Sequence, residues 1–145
     1  MLKFDINGYL TPSDVIELPL NQFEHFFVYN DRRLAIFNEF QKLLDELTVV
    51  KIIKIWIDGS FVTKTQIPND IDVVFFIETS NYILNRDFFV DLKKRYSKVD
   101  SYFVENFPKE HPNYMYSETD ELYWYHQFRN NRKSKVKKGF IQIIL

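Results

Sequence analysis

Two aspartates one residue apart, Asp70-Ile71-Asp72, head the apolar run DIDVVFFI (70–77), and Asp58-Gly59-Ser60 ends a second apolar run, KIIKIWI (51–57). Side chains alternate along a strand, so the two carboxylates share one face while Ile71 and Val73 share the other. Carboxylates that close repel each other, and the apolar residues behind them lower the local dielectric. A chain tolerates this on a wet edge or around a hard divalent cation, which takes oxygen ligands. Gly59 lets backbone approach a bulky anion with no Cβ in the way. Ser60 opens what reads as a helical turn through SFVTK. A helix start offers free N–H groups and a positive dipole end to phosphate, and the Ser60 hydroxyl adds a donor. One strand end thus supplies anion donors and its neighbour supplies metal ligands. A nucleoside triphosphate with magnesium needs both.

The elements that must position these groups read as an α/β domain with a mixed sheet of about four strands flanked by helices. Residues 1–20 read as an irregular or extended arm, with Asn7-Gly8 and Thr11-Pro12 as turns. Residues 20–28 fit a short helix and fit a strand almost as well. After Asn30-Asp31, a plausible cap, Leu34, Phe37, Phe40, Leu43, Leu44 and Leu47 recur at helical spacing. KIIKIWI and DIDVVFFI are short and β-branched, so both read as central strands covered on two faces. Ser80 caps a helix expected to run through Arg95, with Ile83, Leu84, Phe88, Val90 and Leu92 as its apolar face. KVDSYFV (98–104) is a third strand. Ser117-x-x-Asp120 resembles a capping box, with Asp in place of Glu or Gln, and starts the last helix. GFIQIIL is the last strand. The chain therefore reads as one domain over 1–145, with a core at about 30–104 and a C-terminal helix and strand over 117–145.

Composition narrows the chemistry. The chain has 145 residues, 46% hydrophobic and 18% aromatic, with 27% charged residues, which argues against disorder. There is no cysteine, so disulfides, thiolate zinc sites and cysteine nucleophiles are excluded. His25, His111 and His126 lack ligand spacing. No apolar run is long enough to span a bilayer, and no secretory leader is evident, so a cytoplasmic protein without a membrane role is expected. Net charge is −1, yet RNNRKSKVKK (129–138) carries six basic residues and no acid, which leaves the remainder near −7. The run is either a solvated loop or a phosphate contact. Tyr114, Tyr116, Tyr123, Trp124, Tyr125 and Phe128 precede it, and aromatics beside cations suit single-stranded nucleic acid or a nucleobase. Trp124 and Phe128, four apart, are better read as packing the last helix on the sheet.

Ile57-Asp58-Gly59-Ser60, nine intervening residues, then Asp70-Ile71-Asp72-Val73 resembles the motif of the nucleotidyltransferase (polymerase-beta-like) superfamily. It is similar in particular to small bacterial nucleotidyltransferase-like proteins, which the closing KGFIQI also fits. The likeness covers about 50 residues, from Ile52 to Val104. It implies a minimal nucleotidyltransferase fold and a third carboxylate on the next strand. Asp100 is the natural candidate, ahead of Asp87 and Asp91, which lie in an expected helix. By this resemblance Asp70, Asp72 and Asp100 would be catalytic, holding two magnesium ions that bridge the triphosphate. Gly59, Ser60 and Lys64 would bind the nucleotide, with ATP the expected one. An acceptor hydroxyl on RNA (a tRNA end) or on protein would attack the α-phosphorus as pyrophosphate leaves. Acceptor contact is expected at Tyr123, Arg129, Arg132, Lys133 and Lys135. Ser60 then reads as a phosphate donor rather than a nucleophile. Asp58 adds a negative charge beside the triphosphate site or holds the turn. Larger members add a helical domain, whereas only 45 residues follow Asp100. Either the chain binds its substrate with little help, or a companion subunit, as in toxin–antitoxin or other two-component systems, or a homo-oligomer completes the site. The alternative is a catalytically inactive module of the same fold that binds a protein partner or nucleic acid.

Overall fold

The computed structural model describes residues 1–131 and 135–145. Its centre is a mixed five-stranded sheet in the order β3-β7-β4-β5-β6, where β3 is Val15–Pro19, β4 Ile52–Asp58, β5 Ile71–Glu78, β6 Val99–Asn106 and β7 Phe140–Ile144. Strands β3 and β7 run parallel, as do β5 and β6, while β4 is antiparallel to both of its neighbours. Two short strands, β1 (Lys3–Phe4) and β2 (Leu10–Thr11), form a separate antiparallel pair. The sheet has five strands rather than four because the expected arm contains β3. VIELP ends in proline and has no hairpin partner nearby; it becomes a strand only by pairing with β7, at the far end of the chain.

Alternation divides the sheet into two unequal faces. On one, Ile55, Ile57, Ile71, Val73, Phe75, Ile77 and Ile141 are buried against helices. These are α1 (Leu20–Phe27), α2 (Asp31–Glu46), α3 (Thr79–Leu84) and α4 (Arg86–Arg95). On the other face Trp56, Val74, Phe76 and Phe140 pack against α5 (Tyr114–Arg129), chiefly through Phe128, which is buried as its spacing suggests. The acids at the β5 mouth belong to this thinly covered face.

Three helices depart from expectation. Asn30 caps α2, its side chain accepting the Arg33 N–H at 2.9 Å, and Phe37, Phe40 and Leu43 are buried. Leu34, however, is exposed, and Arg33 takes the inward position. The helix expected from Ser80 through Arg95 is two helices broken at Asn85, and Glu78, not Ser80, caps the first through the Asn81 N–H. The break resets the helical phase, so Phe89 and Leu92 turn inward while Ile83, Leu84 and Val90 are exposed. Helix α5 begins at Tyr114, and Ser117 lies within it. Its buried hydroxyl accepts the Phe107 N–H at 2.7 Å instead of capping. Among the described residues no helix is long and apolar enough to cross a membrane.

Candidate active site

The registers of β4, β5 and β6 set Asp58 opposite Asp72 and Asp72 opposite Asp100, one row of carboxylates across three adjacent strands. Asp70 lies just before β5. Carboxylate oxygens of Asp70, Asp72 and Asp100 lie within 4.8 Å of one another. Parallel pairing of β5 with β6 brings Asp100 here, because it aligns the starts of both strands.

Such crowding is electrostatically unfavourable. The Asp72 carboxyl is pushed up to about 8, first by burial and then by Asp70, Asp100 and Asp58. Burial and the Asp100 charge also raise Asp70. Three hard oxygen donors crowded together fit a divalent cation such as magnesium, and Asp70, Asp72 and Asp100 are the residues able to hold it. Asp100 is also held by the Tyr102 hydroxyl, which donates to it at 3.2 Å, and by Lys93, whose ammonium is 3.8 Å away.

Asp58 stands apart from this trio. It is buried and paired with the buried Lys138, whose ammonium also donates to the Phe128 carbonyl at 2.8 Å. Burial raises the Asp58 carboxyl, and Lys138 pulls it back. The basic run thus does not lie wholly in solvent, since its last residue enters the site. Lys138 borders two adjoining cavities. One, of 270 Å³, is lined by Asp58, Asp72, Asp100 and Gln127 among others. The second, of 300 Å³, is lined by Ser60, Thr63, Thr65, Tyr9 and Asn131 with Lys138 and Gly59.

Gly59 joins the acids to this second cavity. Its φ of +83° favours glycine, and a Cβ here would overlap the Asp72 carboxylate. The close approach it permits is therefore to a carboxylate of the chain itself. Ser60–Val62 form a single 3-10 turn, too short for the helix dipole expected through SFVTK. Arg33 anchors the segment that follows. Its buried guanidinium donates to the carbonyls of Phe27, Phe61, Thr63 and Thr65 at 2.6–3.0 Å, between the rings of Tyr29 and Phe61. Burial lowers its basicity, yet the carbonyl array satisfies the charge.

Other expected site residues are placed elsewhere. Lys64 lines neither cavity; its ammonium sits 4.5 Å over the Phe4 ring. Tyr123 is exposed, edge-on to Trp124. Arg129 donates to the Ser13 carbonyl at 2.7 Å and so ties α5 to the N-terminal segment. Lys135 is exposed, with φ of 56°, and Arg132 and Lys133 lie outside the described residues. Trp124 packs against Tyr102, with centroids 4.8 Å apart, as its packing role requires, and also walls the acidic cavity.

Sequence reasoning missed Lys138, Arg33 and Asn131. An acid inside an apolar strand, Asp58, is the one signal that a buried cation must exist somewhere. Nothing local marks Arg33, because its partners are backbone carbonyls as far away as residue 65. No curated protein and no solved structure matches the chain. Residues 2–144 match the family described as "Family of unknown function (DUF6932)", and a match of that extent makes the chain a member of that family.

Proposed function

We propose that this protein is a magnesium-dependent nucleotidyltransferase. It moves a nucleoside monophosphate from a nucleoside triphosphate, with ATP the expected donor, to a hydroxyl on RNA or protein. The observation that carries the reading is the convergence of Asp70, Asp72 and Asp100 beside the Gly59–Ser60 turn and its polar cavity. Magnesium held by the three carboxylates would neutralise triphosphate charge and acidify the attacking hydroxyl.

The chain's own groups divide the remaining work. The Ser60 hydroxyl and the Lys138 ammonium border the space for the polyphosphate, and Asp58 offsets much of the lysine's charge so that it can stay buried. Arg33 fixes the 61–65 segment and keeps that wall in place. Asp100 faces the acceptor: the hydroxyl oxygen forms a bond to the α-phosphorus, its proton passes to a carboxylate oxygen of Asp100, and pyrophosphate departs with the electron pair. Little covalent work is asked of the protein beyond position and charge. A companion chain or second copy would hold the acceptor's body, and the cytoplasm supplies both nucleotide and magnesium.

The test is transfer of label from α-labelled ATP, with magnesium, to components of a cell extract. Label is expected with the wild-type chain and lost in Asp70→Ala. Label no greater than in that variant means an inactive module of the same architecture.

A further inference from the structure

Tyr102 follows Asp100 by two residues on β6, so both side chains leave the same face of the sheet. The Tyr102 hydroxyl donates to a carboxylate oxygen of Asp100 at 3.2 Å. Among the described residues that line the acidic cavity of 270 Å³, Tyr102 alone carries a hydroxyl. Its ring is held in place: the Lys93 ammonium lies 4.2 Å over it, and Trp124 packs against it with centroids 4.8 Å apart. A hydroxyl fixed beside a carboxylate base has already lost the freedom that a diffusing acceptor must lose on binding.

The layout of the strands adds a direction. Displacement at phosphorus runs in line, with the attacking oxygen and the departing pyrophosphate on opposite sides of the α-phosphorus. The polar cavity at Ser60 and Lys138, where the polyphosphate is placed, follows β4. Tyr102 stands on β6, with β5 and its Asp72 between the two. A triphosphate whose β and γ phosphates occupy that cavity would therefore turn its leaving group toward β4 and the opposite side of its α-phosphorus toward Tyr102.

We propose that the chain nucleotidylates itself on Tyr102. This rests on the transferase reading and names an acceptor for it within the chain. The phenolic oxygen bonds to the α-phosphorus, and its proton passes to the Asp100 carboxylate it already touches. The bond from the α-phosphorus to the α–β bridging oxygen breaks, and pyrophosphate carries away the electron pair. The product is a phosphodiester joining Tyr102 to the nucleoside. It occupies the acidic cavity, so each chain reacts once and its site then closes to any other acceptor.

The test is incubation of the purified chain with magnesium and each α-labelled ribonucleoside triphosphate in turn, with no extract present. Peptide mapping by mass spectrometry, on the chain before and after incubation, locates the modified residue. Label is expected to rise to no more than one nucleotide per chain, at a rate independent of protein concentration, and to map to Tyr102. It should be absent from Tyr102→Phe, which keeps the ring, and from Asp70→Ala. Thermal melts check that the phenylalanine variant folds, and the mapping on wild type decides the point even where that variant melts early. Label on another residue of the chain overturns the proposal. Labelled extract components beside an unlabelled chain keep the transferase and overturn self-modification. No label on chain or extract removes both.

Discussion

Asp72 is flanked by Asp58 on one strand, Asp100 on the next and Asp70 two residues before it. Its raised pKa has a definite sign in stability. Between the unfolded value of 3.8 and about 8 the folded chain binds more protons than the unfolded one. Stability from this group is full below pH 3.8 and is lost as pH rises through about 8. Asp72→Asn should therefore stabilise the metal-free protein near neutrality, by about 1 kcal/mol or a rise of about 3–4 °C in Tm. The gain should disappear at acid pH, and the variant should lose any stabilisation by magnesium. Thermal melts in chelator across that pH range check both signs. Gly59→Ala acts on the same carboxylate from the other side. A Cβ at φ +83° displaces the Asp72 oxygen, so denaturant melts should show a loss of about 1–3 kcal/mol, with label transfer abolished.

Arg33 and the 61–65 segment form one working element. Removing the guanidinium in Arg33→Met leaves buried carbonyls unpaired, at a cost of about 3 kcal/mol in chemical denaturation. Hydrogen exchange should speed up in residues 61–65 before it does in β4 or β5. Helices α2 and α4 are joined at their C-terminal ends, where Arg95 and Tyr96 donate to Glu46. These donors lower the Glu46 carboxyl to about 2. The stability it contributes is present above 4.5 and fades as pH falls through about 2. Glu46→Gln should lower Tm at neutral pH and match wild type near pH 2, the reverse of the Asp72 pattern. Elements with their own periodicity and punctuation were legible in the sequence, as α2, β4, β5 and β6 show. Features set by distant partners were not. Asn85 breaks a continuous apolar spacing, Ser117 serves Phe107 rather than a helix start, and Arg33 occupies a core position among leucines and phenylalanines.

The whole molecule explains why the acids remain accessible. Helices α1 to α4 seal one face of the sheet, but among the described residues α5 is the one helix packed on the other, and the carboxylate row emerges beside its C-terminal end. The alignment of Asp100 with Asp72 follows from one topological fact, the parallel pairing of β5 and β6 through α3 and α4. That pairing was legible as strand, helix, strand. The return of Lys138 into the interior was not, because a basic run gives no local sign of which member finds a buried acid. In the proposed function Asp70, Asp72 and Asp100 form a cation site serving a bound nucleotide. Its most direct measurement is titration of manganese, as a spectroscopic stand-in for magnesium, against the protein with a non-hydrolysable ATP analogue, followed by electron paramagnetic resonance. Two ions per wild-type chain, analogue-dependent and lost in Asp70→Asn, are predicted; equal and weak manganese uptake by wild type and variant, with or without analogue, would contradict it.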